Sequence, residues 1–165
     1  MNAGINAKQL RDLIVTPTLM TMGAQYASYH AVELLMGTAA QESLMGHYLH
    51  QLDGGPAVGI YQMEPETYLD ILDHFVTYHD DVLWMLKRFG YAHDEGNEVI
   101  RFEPAQRMVW DLQMATIFAR LHYYRRPEPL PTTKDGYAAY WKEHYNTHLG
   151  AGTNIEYLHN YARFC

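Results

Sequence analysis

Glu42 is the residue of this chain best placed by its neighbours to do chemistry. It stands in Gln41-Glu42-Ser43 near the end of an apolar helical run, and the chain then passes through glycines into Gly59-Ile60-Tyr61-Gln62-Met63-Glu64-Pro65-Glu66-Thr67. A carboxyl set among apolar side chains loses hydration of its charged form, so its pKa rises and it keeps its proton near neutral pH. That is the state a general acid needs in order to protonate a glycosidic oxygen as the bond to the sugar carbon breaks. One such acid, followed by a glycine-rich loop that can line a cleft, fits single-acid cleavage of a glycosidic bond. An isolated Glu-Ser would be an ordinary solvated helix pair, and the second segment separates the two readings.

The elements that must position these residues read as almost entirely helical. Leu10, Leu13 and Ile14 predict a short first helix closed at Thr16-Pro17, where threonine caps and proline opens the next turn. Over residues 28–47, Ala31, Leu35, Thr38 and Glu42 recur at helical spacing with Val32, Leu34 and Ala39 beside them, so Glu42 rides on a largely buried helix. Asp53-Gly54-Gly55-Pro56 is the strongest break, delivering the chain into a short, apolar, extended stretch over residues 57–63. Pro65 opens a helix with Tyr68, Leu69, Ile71, Leu72, Phe75 and Val76 as its apolar set, and Asp80 caps another that stops at Gly90. Residues 91–102 read as polar and irregular. Pro104 opens the longest late helix, with Val109, Leu112, Ala115, Thr116 and Ala119 inward, and Pro127, Pro129 and Pro131 force an extended connection after it. Tyr137, Tyr140, Trp141 and Tyr145 share helical spacing, and Thr153-x-x-Glu156 has the form of a capping box for a last helix. The expected fold class is all-α, or α+β at most with a minimal hairpin, in one domain over residues 1–165.

Glu42-Ser43 resembles the Glu-Ser of the lytic transglycosylases, lysozyme-like enzymes that cut bacterial peptidoglycan, and Gly59 to Thr67 resembles their Gly-Leu-Met-Gln-x-x-Pro-x-Thr segment. Their Tyr-Asn-Ala-Gly element has a partial counterpart in Tyr145-Asn146-Thr147 followed by Gly150-Ala151-Gly152, with His148 where a glycine is expected. Order and rough spacing hold over residues 32–161. The resemblance implies a lysozyme-like helical domain with a substrate cleft and Glu42 as its single catalytic acid. It implies substrate contacts from Ser43, Gly59, Tyr61, Gln62, Tyr145 and Asn146. Gln62 would offer its amide to an N-acetyl sugar, Gly59 would let the backbone approach the substrate, and the Tyr145 hydroxyl would orient the glutamate.

The implied reaction is cleavage of the β-1,4 bond between N-acetylmuramic acid and N-acetylglucosamine, by lytic transglycosylation or by hydrolysis as in a muramidase. In the first route the substrate's own N-acetyl group attacks and a 1,6-anhydro product results. Hydrolysing lysozymes add a second carboxylate, for which Asp53, Glu64 and Glu66 are the local candidates. Each also has an ordinary reading, Asp53 in a turn and the two glutamates at a helix start.

Composition narrows the partners. A formal net charge of -7 argues against a nucleic-acid backbone, which wants a basic surface. No apolar run approaches the roughly 20 residues of a membrane-spanning helix. The single cysteine, Cys165, excludes an internal disulfide. Ten histidines raise the question of a metal, but no His-Glu-x-x-His pattern occurs, so neither metal nor cofactor is expected. Fourteen tyrosines and three tryptophans suit sugar rings as well as cores. No signal-peptide pattern opens the chain, which favours action from a bacteriophage virion or tail, or release from the host cytoplasm as an endolysin. The expected partners are peptidoglycan glycan strands and phage tail or virion proteins, with no nucleic acid and no membrane. The alternative is a catalytically inactive lysozyme-like structural component of a phage virion or tail.

Overall fold

The structure, a computed structural model, describes residues 4–146 and 150–165. The chain is mostly helical, and the described residues include one small two-stranded hairpin. Its centre is helix α3 (Tyr29–Ser43), whose stretch from Ala31 to Ala40 is buried on every side. A helix apolar all round has to be surrounded by other elements, and α3 packs against α6 (Leu112–Tyr124), α7 (Lys134–Trp141) and α8 (Asn154–Phe164). Burying Leu34, Leu35 and Met36 there stabilises the fold by roughly 1.5–3 kcal/mol each. The Ser28 hydroxyl caps the start of α3 by accepting from the Ala31 N–H at 3.0 Å.

Close packing of α3 on α8 depends on Gly37. A Cβ there would lie 2.0 Å from the Tyr157 hydroxyl oxygen and 2.4 Å from Tyr157 Cζ. Tyr157 is fully buried, and its hydroxyl donates to the Leu34 carbonyl at 3.3 Å, so the ring has no free direction in which to yield. Gly37→Ala is therefore expected to destabilise the protein by about 3 kcal/mol, even though alanine is the better helix former by about 1 kcal/mol. Denaturant unfolding checks this, and unchanged or raised stability would refute the packing argument.

Several elements depart from the sequence expectation for identifiable reasons. The first helix does not stop at Thr16-Pro17: α1 (Ala7–Gln9) continues through a π turn, Leu10–Val15, into α2 (Thr16–Met22). Pro17 has no N–H to donate backwards, and the widened turn accommodates its ring without ending the helix. Residues 57–63 are a tight turn rather than an extended stretch. Gly59 (φ 76°) and Gln62 (φ 46°) fold the chain back so that Val58 and Met63 exchange backbone hydrogen bonds at 3.0 Å.

Helix α4 (Pro65–His74) starts at its proline as expected, with Leu69 exposed, and α5 (Asp80–Arg88) places Asp80 in its first turn with His79 at the cap position. Residues 91–102 are not irregular: β1 (Ala92–Asp94) pairs antiparallel with β2 (Ile100–Phe102), Ala92 facing Phe102. Three-residue strands are too short to write an alternation into the sequence. The helix expected from Pro104 is split into a 3-10 turn, Ala105–Val109, and α6, because Asp111 accepts from the Met114 N–H at 2.9 Å and starts a new helix. Thr153 and Glu156 do form the capping box of α8. No helix among the described residues is long and apolar enough to cross a membrane.

Candidate active site

Glu42 is the penultimate residue of α3, where that helix leaves the core. The helix stops because Leu44, Met45 and Gly46 all take the left-handed conformation, with φ of 52°, 60° and 76°. For the two non-glycine residues this costs roughly 1–2 kcal/mol each, offset by the complete burial of Met45 and its N–H bond to the Ala39 carbonyl. Ser43, also fully buried, ties this end to the next motif: its hydroxyl donates to the Ile60 carbonyl at 2.6 Å and accepts from the Gly46 N–H at 2.8 Å. Ser43 thus joins the two sequence motifs and makes no surface for a ligand.

These elements open onto a groove of about 560 Å³ whose walls include Glu42, Gln62, Glu64, His122, Tyr145 and Asn146. Glu42, Gln62, Tyr145 and Asn146 are thereby brought together from distant parts of the chain. Gln62 donates from Nε2 to the Gly59 carbonyl at 2.8 Å, which leaves its side-chain oxygen without a protein partner among the described residues. Asn146 accepts from Lys142 Nζ at 2.7 Å. Thr147 and His148, where the third motif departs from the family pattern, lie outside the described residues.

Other expected residues stand elsewhere. Gly59 does not open the backbone to a ligand. A Cβ at this position would sit 2.5 Å from the Met108 carbonyl oxygen, so its missing side chain lets the turn pack against Ala105–Val109. The Tyr61 ring is buried, with its hydroxyl 3.3 Å from that of Thr116, and it contributes its carbonyl instead. That carbonyl accepts from the Tyr145 hydroxyl at 2.8 Å, so Tyr145 braces the turn rather than bonding to the Glu42 carboxyl. Of the three further carboxylates, Glu64 lines the groove and is exposed. Asp53, on a solvent-facing 3-10 turn with φ 65°, and Glu66, on the exposed side of α4, do not line it.

The partner of Glu42 is a residue the sequence offered only as one of four aromatics at helical spacing. Trp141 Nε1 donates to Glu42 Oε1 at 2.7 Å across 99 positions of chain. The spacing of Tyr137, Tyr140, Trp141 and Tyr145 puts Trp141 and Tyr145 on one helix face, but nothing in it says where the indole N–H points. Glu42 is partly buried, and desolvation pushes its pKa up to about 7, against the opposing effect of the Trp141 hydrogen bond. The tyrosines around it stay neutral: burial first, and the Glu42 charge second, hold the Tyr145 hydroxyl well above its ordinary value. His122 on the groove wall is pushed down to about 3, by burial and then by the guanidinium groups of Arg125 and Arg126, so it is uncharged. Among the described residues no cluster of three or more His, Cys, Asp or Glu side chains could hold a metal ion. The arrangement is therefore one carboxyl that still holds a proton near neutral pH, fixed by a single donor, in a groove lined mainly by uncharged polar groups. No protein-family model, curated protein or solved structure matches the chain.

Proposed function

We propose that this chain is a lysozyme-like enzyme that cleaves the β-1,4 bond between N-acetylmuramic acid and N-acetylglucosamine in peptidoglycan, with Glu42 as general acid and then base. The observation that carries the reading is the Glu42 carboxyl itself, partly buried on a groove wall and held near half-protonation at neutral pH. A proton leaves Glu42 for the glycosidic oxygen as that oxygen departs with the bonding pair. The acetamido oxygen of the same sugar attacks the vacated carbon. Glu42 then takes the proton of the sugar's 6-hydroxyl as that oxygen displaces the acetamido group, leaving a 1,6-anhydro end.

This route needs no second carboxylate, and of the three candidates for hydrolysis Asp53 and Glu66 stand outside the groove, which leaves Glu64 as the one that hydrolysis could use. Replacing Asp53, Glu64 or Glu66 singly by the amide is expected to lower turnover about tenfold at most. Mass spectra of the digest should show 1,6-anhydro ends. Reducing ends, together with one amide as inactive as a Glu42 variant, would make the enzyme a hydrolytic muramidase instead.

The second reading is an inactive lysozyme-like component of a phage virion or tail. It draws on the Tyr145 hydroxyl, which is committed to the Tyr61 carbonyl and not to the acid. Zymography on purified peptidoglycan separates the two: clearing supports the enzyme, and none across the acid-to-alkaline range supports the structural component. The partner in the first reading is the glycan strand, reached from a phage particle or by release from the host cytoplasm.

A further inference from the structure

We infer that Trp141 is a positioning residue that decides which oxygen of Glu42 carries the acid proton, confining it to Oε2. The inference rests on Glu42 being the acid of the proposed cleavage.

An indole N–H donates and cannot accept. Because Trp141 Nε1 points at Oε1 from 2.7 Å, that oxygen must present a lone pair in both protonation states. In a protonated carboxyl the carbonyl oxygen is a stronger acceptor than the hydroxyl oxygen, so an N–H held on Oε1 makes Oε1 the carbonyl and places the proton on Oε2. Among the described residues Oε2 has no hydrogen-bond partner, which leaves it as the oxygen free to serve the groove. Once the proton has gone, the N–H on Oε1 stabilises the carboxylate without occupying the oxygen that must later act as base.

The ring is built to hold this aim. Trp141 is fully buried, and Tyr157 lies against it with ring centroids 5.4 Å apart. On another side Gly152 approaches so closely that a Cβ there would sit 2.6 Å from Trp141 Cη2. Rotating the indole would drive it into one of these neighbours. The ionisable groups that sense the Glu42 charge come from three other elements: Tyr48 from the loop after α3, Tyr123 from α6 and Tyr145 from the π turn Lys142–Asn146. All three are neutral at the working pH, and Tyr48 donates to the Glu42 backbone carbonyl rather than to its carboxyl. His122, which also lines the groove, is neutral as well, and Glu64 lines the same groove exposed to solvent. That leaves the indole N–H as the polar contact governing how the proton is placed.

The test compares the native protein with Trp141→Phe and with a protein carrying β-(3-benzothienyl)alanine at position 141. The benzothienyl ring keeps the bicyclic shape and replaces the N–H by sulfur, so packing is preserved if phenylalanine leaves too large a void. The Glu42 carboxyl is titrated by carbon NMR, with Glu42→Gln assigning its signal. Losing the donor should raise the Glu42 pKa by about one unit. The alkaline limb of glycan cleavage should move by the same amount, and kcat should fall about tenfold with KM within about twofold. A Glu42 titration unmoved by the benzothienyl replacement would overturn the inference. A titration shifted by the replacement, with a native protein that does not cut glycan, would uphold the role of Trp141 toward Glu42 and remove the glycan-cleavage reading. Glycan cleavage by the native protein with an unmoved titration would do the reverse.

Discussion

Glu42→Gln is expected to lower peptidoglycan cleavage by at least about a hundredfold while leaving the fold intact. Glutamine matches glutamate in shape and keeps a carbonyl oxygen for the Trp141 N–H, so the 2.7 Å contact that orients the side chain survives. What it cannot do is release a proton to the leaving oxygen. The dye-release rate of the purified variant, compared with wild type on the same peptidoglycan and accompanied by a circular-dichroism check of folding, measures this. Cleavage within a few-fold of wild type would remove Glu42 from the chemistry, whatever its environment.

The second large effect is a dependence on pH that links activity with stability through one group. The carboxyl of Glu42 is pushed up from its ordinary 4.5 to about 7 by burial. With the protonated form as the active one, cleavage should fall about tenfold per pH unit above 7, reaching about a hundredfold by pH 9. Stability should change over a different window. Below pH 4.5 both folded and unfolded chains hold the proton, so the group contributes no difference. Between pH 4.5 and about 7 the unfolded chain releases the proton and the folded one retains it, so rising pH favours unfolding. The loss levels off above 7 at about 3 kcal/mol, because each tenfold difference in proton affinity between folded and unfolded chains is worth about 1.36 kcal/mol. Glu42→Gln removes this loss, so the variant should be more stable than wild type at about pH 8 and indistinguishable from it at about pH 4. Urea unfolding at the two pH values tests the sign, and a variant less stable than wild type on the alkaline side would refute burial of a raised carboxyl.

The sequence by itself carried what local physics encodes. The apolar run of α3, the glycine-rich break after it, the proline that opens α4 and the Thr153–Glu156 capping box each follow from propensity, capping or backbone restriction within a few residues. It also placed Glu42 at the emerging end of a buried helix, and that sufficed to expect a raised pKa. Elements resting on very short pieces were not legible: the hairpin of Ala92–Asp94 and Ile100–Phe102 has too few residues for a period to register.

Only the tertiary structure decided what each site residue does, because a hydrogen bond is set by distances of a few tenths of an ångström between groups far apart in the chain. Ser43 and Gly59 read from the sequence as ligand contacts. In the fold one bolts α3 to the Ile60 carbonyl and the other clears space for the Met108 carbonyl. Tyr145 was expected to hold the acid and instead holds the turn that carries Gln62. The acid is held by Trp141, 99 residues away, whose spacing marked it only as one of a helical set of aromatics and whose one polar atom found the Glu42 carboxyl oxygen in reach. Spacing along a helix fixes which face a side chain leaves from. The direction of its donor, and the partner it meets, are fixed when α7 packs against α3.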